Sequence, residues 1–221
     1  MKTFYKRKNQ PHFQDIGAAF CVTVTCHDAV PRAILEALQE ERRQALAEIE
    51  ANPTLKDKLM ARAELHLQFE EKLETLLHAD SVQEHPFKKA AAAQIVFDQI
   101  KKYDGQYYHL CAACVMSNHI HFLVDFSIQV PVGWDGSFEI EHYVNLDKVV
   151  GYIKGGSSYE VNKQTGRTGT LWSYGCYDRY IRSEKHFQHA IRYILNNPVK
   201  AKLVKSWEDY PYMYVREAGR E

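Results

Sequence analysis

Two histidines two residues apart, His119–Ile120–His121, are the densest chemistry in this 221-residue chain. In an extended strand, residues i and i+2 share a face, so both imidazoles project together while Ile120, Phe122 and Val124 turn into a core. Two neutral imidazoles on one rigid element form a two-armed clamp for a divalent cation. Mn, Zn, Ni or Co suit it, and Mg is held less well, with oxygen ligands completing the shell. The bland alternative is a pair of histidines on a solvated strand face. A second pair, Tyr193 and Asn197, stands four apart in SEKHFQHAIRYILNNPVKAKLV, where a helix would present a phenol and an amide on one edge. Ser183 is a fitting N-cap there, and Phe187, Ala190, Ile191, Ile194 and Leu195 form the buried stripe. Pro198 is expected to make Asn197 the last helical residue, because the residue before proline is pushed out of the α region. The bland alternative for Tyr193 is a core-edge tyrosine.

The elements that must position these groups are legible from pattern. AAFCVTVTCHD (18–28) is β-branched and aromatic enough for a strand. From Pro31 the texture becomes helical, with Leu and Ala at three- and four-residue spacings, and it breaks at Asn52–Pro53 before resuming to about residue 78. That pattern predicts an αα-hairpin or a pair of long helices. A helix over 87–102 ends at Asp104–Gly105, and strands over 106–115 and 119–126 are joined by the tight Met116–Ser117–Asn118 connection as an antiparallel hairpin. Residues 127–143 read as loop, 144–163 as a helix weakened by Gly155–Gly156, and 175–182 as a short strand before the helix capped by Ser183. On the 106–115 strand, Cys111 and Cys114 are three apart and should point to opposite faces. They are therefore expected to be buried structural cysteines rather than a metal or redox pair.

With 28 Lys+Arg against 28 Asp+Glu the formal charge is zero, which excludes a uniformly basic nucleic-acid binder. Counted by segment, residues 31–80 carry 7 basic and 11 acidic side chains, a balance of −4. Residues 148–205 carry 11 basic and 3 acidic, a balance of +8, which a phosphate backbone would favour. The neutrality is a cancellation between regions. An odd count of five cysteines without an export signal argues for reduced thiols and a cytoplasmic chain. No apolar run is long enough to cross a membrane.

The stretches VMSNHIHFLV and LWSYGCYDRYIRSEKHFQHAIRYILNNPVKAKLV resemble the two signature blocks of the single-tyrosine transposases of the HUH superfamily, closest to the REP-associated tyrosine transposases. The first block differs chiefly in having Ser117 where the family has proline. The second carries a Trp, then an aromatic–acid–Arg group (here Tyr177–Asp178–Arg179), then the helix that ends in Asn-Pro-Val. The resemblance covers about residues 12–30 and 87–210. It implies an α+β, ferredoxin-like (RRM-like) sandwich, an antiparallel sheet with helices on one face, plus a helical-hairpin insertion. Residues 1–30 with 87–221 would form the catalytic domain and 31–86 the insertion.

Carried over position by position, the resemblance implies His119 and His121 as metal ligands, Asn197 as third ligand, Tyr193 as nucleophile, and a divalent cation, Mg2+ or Mn2+, as cofactor. The implied activity is nicking and rejoining of single-stranded or hairpin DNA through a 5′-phosphotyrosine. Lys154, Arg167, Arg179, Arg182, Arg192 and Lys200 are the candidate phosphate contacts, and Trp172 a base-stacking one among interleaved aromatics that include Tyr174, Tyr177 and Tyr180. A phenol of pKa near 10 needs help from the metal, from a basic neighbour such as Lys200 or Arg192, or from a general base. Family members act as homodimers that exchange helices or as monomers, and both arrangements stay open, as does a protein partner on 31–86. The rival readings are a domesticated hairpin-DNA-binding protein that does not cut and a small metal-dependent hydrolase using water.

Overall fold

A computed structural model describes residues 3–7, 10–52, 54, 57–79 and 85–216. The elements in chain order are β1 (Thr3–Arg7), β2 (Gln10–Gln14), β3 (Ala19–Thr25), α1 (Arg32–Ala51), α2 (Lys58–His78), α3 (Ala90–Lys101), β4 (His109–Val115), β5 (His119–Asp125), α4 (Leu146–Thr165), β6 (Tyr177–Tyr180), α5 (Glu184–Lys200) and β7 (Met213–Val215). The chain divides into two compact units, Met1–Cys26 with Pro86–Glu221, and His27–His85. Among the described residues, no helix is long and apolar enough to cross a membrane.

In the first unit, β3, α3, β4, β5, α4 and β6 follow one another as a β-α-β-β-α-β series. The main sheet runs β6-β3-β5-β4-β7, every pairing antiparallel. This is the ferredoxin-like α+β order, extended by β7 at the β4 edge. β1 and β2 form a separate antiparallel pair; neither that pair nor β7 stood out in the sequence. The strands explain themselves. β3 and β5 are buried along nearly their whole length, so they read as continuous β-branched and aromatic runs rather than as alternating amphipathic ones. The turn between β4 and β5 is tight, with the Met116 N–H donating to the His119 carbonyl at 2.9 Å.

Helices α3 and α4 pack on each other, with Gly156 of α4 facing the Gln99 side chain of α3. A Cβ at Gly156 would stand 2.6 Å from Gln99 Oε1 on α3 and would make that side chain shift, whereas one at Gly155 would meet nothing within 4 Å. α4 runs unbroken from its Asn145 cap to Gly166, which closes it in the left-handed region at φ 66°. α5 lies on the other side of the sheet. Its Ala190 and Ile194 join Cys21, Ala112, Cys114, Met116 and Leu123 in one apolar cluster that contains no residue of α3 or α4. The two-helix layer therefore covers one face, and α5 the opposite one, so helices stand on both faces of the sheet and not on one as expected.

Two further sequence expectations are corrected here. α5 does not stop at Asn197 but continues to Lys200 with Pro198 inside it. Pro198 forfeits only its own N–H bond, while the Ala201 N–H still reaches the Asn197 carbonyl at 2.9 Å and both Asn197 and Pro198 are buried, so packing outweighs the local restriction. Cys111 and Cys114 do not lie on opposite faces. The β4–β5 register shifts between Leu110 and Ala112, and this bulge resets the alternation so that both thiols join the cluster under α5. They are buried thiols, as expected, but for a different reason.

In the second unit, the ion pairs Glu41–Lys72 and Glu50–Arg62 align α1 and α2 antiparallel. Phe69, Leu73 and Leu77 recur every four residues as the buried stripe of α2, with Leu38 buried on α1. The Arg42 guanidinium stacks on the Phe69 ring, 4.7 Å from its centroid.

Candidate functional site

The register of β5 decides where the histidines stand. His119 pairs with Thr25 and His121 with Thr23 on β3, and on the other side His121 pairs with Cys114 on β4. Directly opposed residues share a face, so Thr23, Thr25, His119 and His121 make a polar patch on the α5 side of the sheet. Ile120, Phe122 and Val124, at 0% exposure, fill the other side. Both imidazoles are also at 0% exposure, and their ring centroids are 4.7 Å apart in an edge arrangement.

Burial of an imidazole is costly without hydrogen bonds, and each ring has one on Nδ1. Asn118 Oδ1 stands 2.6 Å from His119 Nδ1, and Thr23 Oγ1 is 2.9 Å from His121 Nδ1. An amide oxygen only accepts, so His119 Nδ1 is the donor of this bond. That is how a metal-binding histidine is normally held, with Nδ1 fixing ring orientation and tautomer while Nε2 is presented to a cation. The donor set thus fits a divalent ion of the N/O-ligand class. Sequence reasoning passed over both holders. Asn118 could have been suspected from its place beside His119, whereas Thr23 lies 98 residues away and only strand pairing reveals it.

α5 brings the phenol to the same patch. Ser183 caps it, its Oγ accepting from the His186 N–H at 3.2 Å, and Phe187, Ile191 and Tyr193 pack against the apolar cluster. The Tyr193 ring then lies edge-on to His121, centroids 5.1 Å apart. Two cations flank it: the Arg179 guanidinium at 5.7 Å from the ring centroid and the Lys200 ammonium at 5.8 Å. Arg179 reaches it because β6 pairs Arg179 with Cys21, and Cys21 belongs to the cluster under α5. Asn197 is at 1% exposure, and its Nδ2 donates to the Tyr193 carbonyl at 3.0 Å, so its Oδ1 points away from that bond. The structure therefore brings together His119, His121, Tyr193, Arg179 and Lys200, with Asn197 one turn beyond Tyr193.

The remaining candidates divide. Arg182 and Arg192 are exposed on or beside α5, and the Arg192 guanidinium returns to the Gln188 carbonyl at 3.3 Å. Arg167 is half-buried and donates to the Thr170 carbonyl at 3.0 Å. Trp172 is corrected as a stacking platform: at 4% exposure its indole packs on Phe87 and donates to Ser157 Oγ at 2.9 Å, which makes it core. Lys154 is corrected as an outward phosphate contact, since its ammonium donates to the carbonyls of Ser173 at 2.6 Å and Gly175 at 2.9 Å. Of the other aromatics, Tyr177 pairs with Thr23 on the histidine face. Tyr180 pairs with Phe20 on the opposite face and donates to Asp15 Oδ2 at 2.9 Å.

No protein-family model matches the chain, and no curated protein matches it in sequence. Among solved structures, a REP-associated tyrosine transposase bound to a REP hairpin is similar, with a TM-score of 0.50 and 14% identity over 94% of this chain and 82% of that one. At that identity the likeness is one of fold: the five-stranded antiparallel sheet with its helices is an architecture shared with a tyrosine transposase.

Proposed function

We propose that the protein is a metal-dependent, tyrosine-transposase-like enzyme that cuts and rejoins single-stranded or hairpin DNA through a 5′-phosphotyrosine on Tyr193. The observation that carries this reading is the 5.1 Å approach of the Tyr193 ring to His121, a phenol from α5 set against a buried two-histidine pair from β5. His119 and His121, through Nε2, and Asn197, through Oδ1, are the residues that would hold Mg2+ or Mn2+. Such an ion supplies positive charge to a non-bridging phosphate oxygen when bound.

The chain's own residues do the rest. The Tyr193 phenolate oxygen attacks phosphorus, the P–O3′ bond breaks, and the 3′ oxygen leaves and takes a proton. The product is a phosphotyrosine and a free 3′-OH, and the bond energy is kept, so a second 3′-OH can reverse the step without a nucleotide cofactor. Arg179 and Lys200 beside the ring place two positive charges where the attacking oxygen and the phosphate must meet. With Arg182 and Arg192 exposed on the same C-terminal segment, they supply the charge that attracts a phosphate backbone. In this reading residues 1–30 and 87–221 are the DNA-processing domain, and the acidic hairpin 31–86 is an insertion available to a protein partner.

The test is to incubate the full chain with a 3′-labelled hairpin oligonucleotide carrying single-stranded flanks, so that the label stays on the strand joined to Tyr193, in Mn2+, Mg2+ or EDTA. A covalent adduct that requires the cation, disappears in Tyr193→Phe and maps to the peptide containing Tyr193 is the expected result. Hairpin binding with no cleavage in any cation would instead indicate a non-cutting binder. Turnover that survives Tyr193→Phe would indicate a hydrolase using water.

A further inference from the structure

The loop before β6 carries an aromatic ring almost wholly in water on a backbone that is fastened on every side. Tyr174 is 90% exposed. Its two neighbours are held by the same ammonium: Lys154 on α4 donates to the carbonyls of Ser173 and Gly175, at 2.6 and 2.9 Å, and so spans the tyrosine. The Ser173 N–H donates to the Thr25 carbonyl at 2.9 Å and its hydroxyl to the Cys26 carbonyl at 2.8 Å. Trp172 pairs with Cys26 as an isolated antiparallel bridge, and its indole is held by Ser157, one turn along α4 from Lys154. Gly175 adopts φ 74°, a turn that a side chain would resist. The fastening also fixes location. Thr25, which accepts from Ser173, is the β3 partner of His119, so the loop abuts the histidine end of the sheet.

Fastening a loop this thoroughly costs backbone entropy, and the ring itself returns no packing within the fold. A rigid exposed aromatic with a lysine committed to bracing it is the form of a preorganised stacking platform, since ordering done in advance is not charged to binding. Nucleobases are the flat, partly apolar ligands that stack on such rings without sequence preference, at the edge of a groove that attracts phosphates. We propose that Tyr174 is a stacking subsite for an unpaired nucleobase of the strand entering the site, with Lys154 as its positioning residue. This deepens the reading given above and rests on it for the identity of the strand. Lys154 acts by holding the loop rather than by touching phosphate.

The experiment measures fluorescence anisotropy of labelled single-stranded oligonucleotides on the full chain in a Tyr193→Phe background, where no adduct can form. A dT homopolymer, a mixed sequence and the same strands with abasic positions are compared. Tyr174→Ala is expected to weaken binding of intact strands by roughly 5- to 150-fold, the range for one base–aromatic stack, and to leave abasic strands unchanged. Tyr174→Phe should retain affinity. Lys154→Met, checked for folding by circular dichroism, should lose part of the same increment and add little once Tyr174 is already Ala. Equal weakening of intact and abasic strands, or none for either, overturns the subsite, as does failure of the parent chain to bind any of these strands. Tyr174-dependent binding without any adduct on the unsubstituted chain keeps the subsite and removes the cleavage reading. Adduct formation without Tyr174 dependence does the reverse.

Discussion

On one face of β5, Ile120, Phe122 and Val124 are sealed at 0% exposure among aliphatic and aromatic neighbours; on the other, His119 and His121 are sealed just as completely, but beside Thr23, Thr25 and a tyrosine. The first face follows the usual logic of burial, in which apolar area leaves water at about 25 cal/mol per Å2. The second face does not. Buried imidazoles gain little from desolvation and need hydrogen bonds to be tolerated at all, and Asn118 and Thr23 supply them. One strand therefore stabilises the fold on one side and holds reactive groups in fixed orientation on the other.

The largest effect is expected from a truncation on the apolar face. Phe122→Ala should cost about 3–5 kcal/mol of stability through lost transfer energy and a cavity, read as a fall in the denaturant midpoint at unchanged slope. A loss below about 1 kcal/mol would mean that this face is not the main source of stability. On the polar face the largest effect should be functional. His121→Gln should reduce cation-dependent adduct formation by at least about 100-fold, beyond the range seen when residues outside the ligand set are altered. Its midpoint should move less than that of Phe122→Ala.

A finer cut separates holder from held. Thr23→Val keeps the strand and the volume but removes the hydroxyl on His121 Nδ1, and should weaken cation affinity by about 10- to 100-fold, measured by titration calorimetry with Mn2+. An unchanged affinity would show that the packing of the ring, and not this hydrogen bond, sets its orientation. The smallest effect is in pH dependence. Burial first, then the Asp125 charge, pushes the Cys111 thiol up from 9.0 to about 12. Burial likewise raises the Tyr108 and Tyr210 hydroxyls. Between pH 9 and 12 the unfolded thiol has lost its proton while the folded one keeps it, so stability present below pH 9 falls as pH rises. Cys111→Ala should flatten part of that alkaline fall; an unaltered slope would assign it to the tyrosines.

Much of this was legible before any coordinates. The strand with HxH, the tight turn ahead of it, the αα-hairpin and the Ser183-capped helix all follow from period and punctuation, because local chemistry sets them. Where reading failed, a distant partner had intervened. The Cys111 bulge arises from pairing with β5, the continuation of α5 through Pro198 from burial of that turn, and the internal roles of Trp172 and Lys154 from contacts across 15 to 21 residues.

By itself the sequence determined which groups were available: two imidazoles on one strand face, a phenol and an amide on one helix edge, and a +8 segment hidden inside a neutral chain. Only the tertiary structure decided that His121 and Tyr193 meet, that Arg179 and Lys200 are the cations at the phenol, and that Lys154 is turned inward to brace Tyr174. Period and spacing act over a few residues, whereas those meetings depend on strand register and helix docking between segments far apart in the chain.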